Sequence, residues 1–275
     1  MSKKERAKIE SSYTVIKNAG PWRHRLLIGT PSTGWYREEW VNGRFGAIIP
    51  TNWSHVTMTQ NLPTVAPLNY LVADAQNLIV RHALANNFEW LMLLENDNVL
   101  LPDAFIRFNE YMRDKEVPVV SGLYFTKSDP PEPLVYRGRG NSYYKDWKVG
   151  DKVWADGVPT GCLLINCKLL KAVWDESPEY MVASEKTRRV FREVAEVIET
   201  PEGNLVRAGT SDLDFCDRVM KEGYFTKAGY KECANKKFPF LVDTNIFCWH
   251  IDNNTGVMYP KNGIPKIYER KGNNK

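Results

Sequence analysis

The stretch Glu89–Asp97, EWLMLLEND, decides the fold. Its first part, Glu89 to Leu94, is a near-continuous apolar run of strand length, which is typical of a strand buried on both faces of a parallel sheet. The run leads directly into Glu95, Asn96 and Asp97. Because open α/β sheets bind ligands just outside the carboxyl ends of their strands, this acidic cluster is a candidate functional site.

Strand and helix patterns alternate around this segment. Residues Tyr70–Asn87 are a predicted helix in which small and apolar residues recur at helical spacing, so we expect that face to pack inward. These residues are Leu71, Ala75, Leu78, Ile79 and Ala83. The other predicted elements are strands at Arg25–Thr30, Val117–Tyr124 and Phe240–Asp252, and a helix at Asp103–Arg113. We therefore expect an α/β fold with a mostly parallel central sheet flanked by helices.

Two stretches interrupt this alternation. Residues Lys127–Thr160 are rich in Pro, Gly, Tyr and Trp, and we interpret them as functional loops or a hairpin. Residues Ser177–Arg207 are a charged insertion, with a helix predicted around Glu185–Glu199. We expect a polar leader at 1–22, a single catalytic domain at 23–258 with insertions at about 127–160 and 177–207, and a basic tail at 259–275.

The composition is that of a globular protein. Of the 275 residues, 43% are hydrophobic and 25% charged, which suffices for one substantial core. Neither end carries the apolar run of a signal peptide or a membrane span, so we expect a cytoplasmic protein. The net charge of +4 comes partly from the two ends rather than from a nucleic-acid-binding stripe. Five cysteines without CxxC spacing predict free thiols in a reducing compartment.

The acidic cluster is a candidate metal site. In an extended segment Glu95 and Asp97 project to the same side, where two hard oxygen ligands suit Mg²⁺ or Mn²⁺ and leave positions open for phosphates. A plain turn is the alternative interpretation, since acidic residues followed by Asn98 and Pro102 are also typical of turns. On the preceding helix Asp74, Asn77 and Arg81 form one polar stripe, which is either a solvated face or part of the same site.

The segment from Ser211 to Phe215 begins a predicted helix. Ser211 and Asp214 fit a capping box, which explains both without a function. Asp212 is not needed for that cap, and the helix dipole at the first turn favours its ionised form. Asp212 is therefore the candidate general base. Near the chain's last predicted strand, His250 beside Trp249 is either a structural histidine or a ligand.

These motifs, taken in order, resemble those of GT-A fold (Rossmann-like) glycosyltransferases, particularly the family 2 type. The resemblance covers about residues 24 to 255. It rests on an ARN-like motif before a strand that ends in a DxD-like motif, followed by four further matches. The matching segments are Ala75–Ala83, Glu95–Asp97, Ser121–Phe125, Pro159–Ile165, Thr210–Cys216 and His250. The chain departs from the pattern at Gln76, where Arg is usual, at Glu95, where Asp is usual, and at Ser211, where Glu is frequent.

The resemblance implies a metal-dependent glycosyltransferase that uses a nucleotide-diphosphate sugar as donor. It implies Mn²⁺ or Mg²⁺ as cofactor and an inverting displacement with Asp212 as general base. The acceptor is unknown: a glycan, a lipid, a protein or, less in keeping with the charge pattern, a nucleic acid. The implied metal ligands are Asp97, His250 and Glu95; the implied nucleotide-binding residues are Thr30, Pro31, Asp74 and Asn77; and the implied sugar- or acceptor-binding residues are Gly161, Asp214 and Trp249.

Two other functions stay open. A nucleotidyltransferase on a similar sheet would also need paired acids and a metal, but it would want a basic, Gly-rich phosphate loop after the first strand, and Gly29 to Gly34 lacks that basic density. A non-catalytic carbohydrate-binding or scaffold protein could keep the fold without turnover. The departures at Glu95 and Ser211 keep this second alternative open.

Overall fold

The computed structural model describes residues 26–50, 64–138, 143–200, 203–263 and 267–268. The predicted leader at 1–22 and most of the predicted tail at 259–275 lie outside these residues. The helices in the described part are α1 (Glu38–Phe45), α2 (Val72–Ala85), α3 (Ala104–Asp114), α4 (Cys167–Glu176), α5 (Ser211–Lys221), α6 (Tyr224–Lys227) and α7 (Lys231–Ala234).

The strands fall into a central sheet and three small two-stranded pairings. The central sheet contains β1 (Leu26–Gly29), β2 (Thr64–Val65), β3 (Trp90–Leu94), β4 (Asn98–Leu100), β5 (Val119–Leu123), β7 (Lys152–Ala155), β8 (Cys162–Asn166), β13 (Phe240–Ile251) and β14 (Met258–Tyr259). The pairs join β6 (Trp147–Lys148) to β15 (Ile267–Tyr268), β9 (Glu179–Val182) to β10 (Glu185–Arg188), and β11 (Val194–Thr200) to β12 (Gly203–Gly209).

The central sheet is mixed, with mostly parallel central strands. Its order is β14-β13-β5-β8-β3-β1-β2. β1 runs parallel to β2 and β3, β13 runs parallel to β5, and β8 lies antiparallel between β3 and β5. The predicted α/β fold with a mostly parallel central sheet flanked by helices is confirmed.

The sheet separates two apolar cores. On β3, Leu91 and Leu93 face the core that holds apolar residues of α2, α4 and α5, whereas Trp90, Met92 and Leu94 face the core of α1 and α3. This burial on both faces explains the unbroken apolar run that the sequence shows before Glu95. The carboxyl end of β3 therefore lies between two helical layers, which position the acidic cluster.

The helix predicted at Tyr70–Asn87 is confirmed as α2, with one error at its start. Ala75, Leu78, Ile79 and Ala83 are buried, but Leu71 is 68% exposed and precedes the first helical turn. The helix predicted at Asp103–Arg113 is α3, and the strands predicted at Val117–Tyr124 and Phe240–Asp252 are β5 and β13.

The helix predicted around Glu185–Glu199 is wrong, because the insertion folds as two hairpins. β9 and β10 pair antiparallel around a turn in which Ala183 has a φ of 53°. β11 pairs antiparallel with β12. The β-branched residues Val194, Val197, Ile198 and Thr200 favour the strand over the helix that the charge pattern indicated.

Of the two interpretations of Lys127–Thr160, the hairpin is wrong, and a functional role of its loops stays a prediction. In that stretch β6 pairs with β15 and β7 pairs with β13, so neither strand pairs with the other. No helix in the described part of the chain is long and apolar enough to cross a membrane.

Candidate functional site

The candidate site lies where β3 ends. The backbone N–H of Glu95 donates to the carbonyl of Gly161 at 2.9 Å, and the Trp40 indole donates to the Glu95 carbonyl at 2.9 Å. The expected extended segment from Glu95 to Asp97 is wrong and its alternative, a turn, is correct, because the Asn98 N–H donates to the Glu95 carbonyl at 3.1 Å. The chain continues into β4, which pairs antiparallel with β13 and sets Asn98 opposite His250. This register brings His250 beside Asp97, and the resemblance implies both residues as metal ligands.

Asp97 contacts two groups that can carry positive charge. Its Oδ2 lies 2.5 Å from Lys127 Nζ and 3.4 Å from His250 Nε2. Burial raises the pKa of the Asp97 carboxyl, but the hydrogen bond and charge of His250, followed by Lys127, outweigh it and lower the pKa to about 2. Asp97 is therefore held in its ionised form.

The orientation of the His250 ring is fixed from its other side. His250 Nδ1 lies 2.6 Å from the carbonyl oxygen of Phe125. Because a carbonyl only accepts, Nδ1 carries a proton and donates it, which leaves Nε2 directed at Asp97. A histidine that donates one ring N–H to a backbone carbonyl has the arrangement typical of metal-ligating histidines.

Lys127 is a site residue that the sequence reasoning missed. It lies on a loop that folds back through Thr126, whose N–H donates to the Glu132 carbonyl at 2.9 Å and whose hydroxyl accepts from the Glu132 N–H at 2.9 Å. Lys127 could have been found from its position, because it follows the carboxyl end of β5, at the same sheet edge as Asp97. It was missed because it begins a Pro- and Gly-rich stretch that was interpreted as a whole.

The donor set around Asp97 fits a divalent cation through two protein ligands. A carboxylate and an imidazole nitrogen suit Mn²⁺, and carboxylate oxygens suit Mg²⁺. Within the described residues, no three His, Cys, Asp or Glu side chains group closely enough to hold a metal together. Glu95 therefore does not complete a three-residue site with Asp97 and His250, and metal binding stays a prediction that rests on Asp97 and His250.

Glu95 faces a different environment from Asp97. Burial, followed by the negative charges of Asp97 and Asp212, raises the pKa of Glu95 to about 8, although a hydrogen bond from Thr160 opposes the rise. Glu95 and Asp212 both line a cavity of about 440 Å³. Thr160, Ser211 and Val72 line it as well. The structure thus brings the predicted base to the acidic end of β3.

Asp212 lies in the first turn of α5, as predicted. Its Oδ1 accepts a hydrogen bond from the N–H of Leu213 at 2.8 Å. Burial raises the pKa of Asp212, against hydrogen bonds from Thr210 and the backbone that lower it. The expectation that this position favours the ionised form of the carboxylate is corrected: burial outweighs the hydrogen bonds, and a raised pKa strengthens Asp212 as a proton acceptor.

The capping box at Ser211 is also wrong. The residue before the helix is Thr210, and Ser211 is already helical. The Ser211 hydroxyl instead donates to Gln76 Oε1 at 3.0 Å. Gln76 Nε2 donates to Thr160 Oγ1 at 3.0 Å, and the Thr160 hydroxyl donates to Glu95 Oε1 at 3.2 Å. Gln76, Glu95 and Ser211, the three departures from the resembled pattern, thus belong to one chain of hydrogen bonds.

The predicted nucleotide-binding residues fall into two groups. Thr30 and Pro31 are buried where β1 ends, and Thr30 Oγ1 has no hydrogen-bond partner among the described residues. Asp74 accepts from the Tyr180 hydroxyl at 2.7 Å. Asn77 is 1% exposed, and its amide exchanges hydrogen bonds of 2.8 Å with the backbone of Phe191 in both directions.

The polar stripe on α2 therefore holds the insertion in place. Asn77 also donates to Tyr180 at 2.9 Å, and Arg81 pairs with Glu185 and donates to the carbonyl of Lys186 at 3.2 Å. The stripe is neither a solvated face nor an open binding surface in this structure. A direct contact of Asp74 or Asn77 with a nucleotide stays a prediction, and their visible role is to dock β9 and β10.

The three predicted sugar- or acceptor-binding residues have packing roles. A side chain at Gly161 would meet Tyr124 and Asn98, each at 2.4 Å, so the glycine makes room for protein atoms. Asp214 accepts from Arg192 at 2.8 Å and from Arg218 at 2.9 Å. Trp249 is half-buried, with its ring 5.0 Å from that of Phe247. A role of these residues in sugar binding stays a prediction.

Comparisons with known proteins show the fold alone. No protein-family model matches the chain, and no curated protein matches it. The crystal structure of A197 from STIV is similar with a TM-score of 0.50 and 15% identity, over 90% of this chain and 95% of that one. S. aureus TarS 1-349 has a TM-score of 0.37 and 9% identity, over 56% of this chain and 50% of that one. A protein described as a glucose-1-phosphate thymidylyltransferase from Bacillus anthracis, in complex with a sucrose, has a TM-score of 0.30 and 10% identity, over 56% of this chain and 76% of that one.

Proposed function

We propose that this protein is a glycosyltransferase that moves a sugar from a nucleoside-diphosphate sugar to a hydroxyl acceptor. The observation that carries the proposal is that two acidic residues with different surroundings, Asp97 and Asp212, lie at the same edge of the sheet. Asp97, which is held ionised, and His250, 3.4 Å from it, would be two ligands for a cation. Asp212 is a carboxylate of raised pKa that lines the adjoining cavity.

The cation end would bind the donor's diphosphate. Asp97 and His250 would hold Mn²⁺ or Mg²⁺, which when bound stabilises the negative charge on a leaving diphosphate. Lys127, whose ammonium contacts Asp97, would supply a second positive charge beside the diphosphate. The nucleotide would lie toward Thr30 and Pro31, where the Thr30 hydroxyl is free among described residues to donate a hydrogen bond.

The cavity end would activate the acceptor. The acceptor oxygen forms a bond to the anomeric carbon, the bond from that carbon to the diphosphate oxygen breaks, and Asp212 takes the hydroxyl proton. A single displacement of this kind inverts the anomeric configuration. A product with retained configuration would therefore contradict the role of Asp212 as base.

The test is a binding screen by thermal shift and calorimetry. UDP, GDP, CDP, dTDP and their sugars are each measured with Mn²⁺ and with EDTA, on wild type, Asp97→Ala and the control Asp175→Ala. Asp175 is an exposed acid on α4 that pairs with Lys171. We expect one nucleotide to bind in a metal-dependent way, and Asp97→Ala but not Asp175→Ala to abolish that binding.

The other outcomes separate the alternatives. Binding of none of these ligands would favour a non-catalytic protein of this fold. Release of pyrophosphate from a nucleoside triphosphate and a sugar phosphate would favour a nucleotidyltransferase.

A further inference from the structure

The hydrogen-bond chain Ser211–Gln76–Thr160–Glu95 joins three separate parts of the fold behind the cavity. Ser211 begins α5, Gln76 lies on α2, and Thr160 precedes β8. Gln76 is 0% exposed, Thr160 4% and Ser211 7%. Because buried polar groups lose much when their partner is removed, each link constrains its neighbours strongly.

The chain has a direction, and Gln76 sets it. The amide oxygen of Gln76 accepts from Ser211, and its amide nitrogen donates to Thr160. The Thr160 oxygen is therefore already an acceptor, and its own proton is free to go to Glu95. If the amide were reversed, Thr160 would donate to Gln76 and Glu95 would lose its donor.

Glu95 is the last member of the chain, and it lines the same cavity as Asp212. The hydrogen bond from Thr160 holds Oε1, and the second carboxyl oxygen takes no part in the chain. Ser211 at the far end of the chain is the residue next to Asp212. The chain therefore ties the position of Glu95 to the start of the helix that carries Asp212.

We propose that Gln76 is a positioning residue of the site, which sets the placement of the Glu95 carboxyl group relative to Asp212 through Thr160 and Ser211. Gln76 does not itself line the cavity that Glu95, Thr160, Ser211 and Asp212 share. It acts through its two neighbours, and its functional consequence rests on the glycosyltransferase proposed above.

The first experiment tests the chain without any ligand. Ser211→Ala and Thr160→Val remove its first and third members, and in the hydrogen-bond chain Gln76 lies between the two. In the wild-type background we expect their effects on the unfolding equilibrium constant to depart from additivity by about threefold or more. In a Gln76→Met background the same two changes should be additive. Additivity in both backgrounds would overturn the proposal.

The second experiment tests what the chain does. Release of nucleoside diphosphate from UDP-, GDP-, CDP- and dTDP-glucose with water as acceptor gives kcat and KM. We expect Gln76→Met and Thr160→Val each to lower kcat on the order of tenfold with little change in KM, since small displacements at a reacting centre affect rate. Thr160→Ser, which keeps the hydroxyl, should retain the wild-type kcat.

Thr187→Val is the matched control. Thr187 is as buried as Thr160, at 1% exposed, and its hydroxyl donates to the Asn77 carbonyl at 3.0 Å, away from Glu95. It should lower stability as Thr160→Val does and leave kcat unchanged. A wild type without turnover would overturn the proposed glycosyltransferase, whereas an active wild type whose kcat survives Gln76→Met would overturn the positioning role alone.

Discussion

Glu95 and Asp97 stand two residues apart at the end of β3, yet the protein gives them opposite electrostatic surroundings. His250 and Lys127 contact Asp97, and they lower its pKa to about 2 despite its burial. Glu95 faces Asp212 across the cavity and has a pKa raised to about 8. The two residues stand in one turn, but different elements of the fold surround their side chains.

This difference teaches that an acidic pair of DxD type need not act as one unit. Asp97, His250 and Lys127 form the proposed cation-binding end, built by the turn before β4, by β13 and by the loop after β5. Glu95 and Asp212 form the proposed proton-binding end, built by the end of β3, by α5 and by Thr160, two residues before β8. Each prediction below tests whether residues of the two ends have different effects when they are substituted.

The largest effect is expected at the proton-binding end. Asp212→Asn keeps the shape of the side chain and removes the base, so we expect kcat to fall on the order of 10²–10⁴-fold. Nucleotide affinity should not change, because Asp97 and His250 are intact. Asp217→Asn, on the same helix and paired with Lys221, is the control and should keep its rate. A loss of nucleotide binding in Asp212→Asn would contradict the division into two ends.

At the proposed cation-binding end, His250→Ala removes one of the predicted metal ligands. We expect Mn²⁺ affinity, measured by calorimetry or by electron paramagnetic resonance, to fall about 10–100-fold. His82→Ala on α2 replaces a histidine whose ring lies 6.4 Å from that of Phe88, and it should leave Mn²⁺ affinity unchanged. Equal Mn²⁺ affinity in both variants would remove His250 from the metal site.

The sequence predicted the central architecture because burial leaves a strong signal. The apolar run before Glu95 and the 3.6-residue spacing on α2 both follow from packing against the two cores. The insertion was mispredicted because its charge pattern is compatible with a helix, and hairpin pairing between distant residues leaves only a weak local signal.

In the site, too, features that depend on nearby residues could be predicted and most long-range contacts could not. The acidic cluster after β3 was visible in the sequence, and the proximity of Asp97 and His250 was expected from the order of motifs in the resembled family. Lys127 on Asp97 and the link from Gln76 to Ser211 depend on how loops and helices dock in three dimensions. The sequence shows that Gln76, Glu95 and Ser211 are unusual residues at their positions. It does not show that hydrogen bonds connect them in the folded protein.

The pH dependence of stability should separate the two acids in metal-free protein. Glu95 has a folded pKa of about 8, above the unfolded value of roughly 4.3, so its contribution is present at low pH and is lost as pH rises from about 4 to 8. Asp97 has a folded pKa of about 2, below the unfolded value of roughly 3.9, so its contribution is lost as pH falls from about 4 to 2.

Melting temperatures with EDTA across pH 2–8, a range set by those pKa values, check both signs. Relative to wild type, Glu95→Gln should gain stability as pH rises above about 5, and Asp97→Asn should gain stability only below about 4. Parallel curves for wild type and both variants would show that the two carboxyl groups share one environment.

The smallest expected effect concerns Lys127. Its ammonium contacts the same Asp97 oxygen that a metal would use, so Lys127→Met should raise the affinity for Mn²⁺ in the absence of nucleotide. A partly exposed ion pair is worth up to about 1 kcal/mol, which limits the gain to roughly fivefold. Lys171→Met, which breaks the exposed pair with Asp175, should not change Mn²⁺ affinity. A lower affinity in Lys127→Met would mean that the lysine supports the metal ligands instead of competing with the ion, and Lys127 would then belong to the scaffold of the cation-binding end.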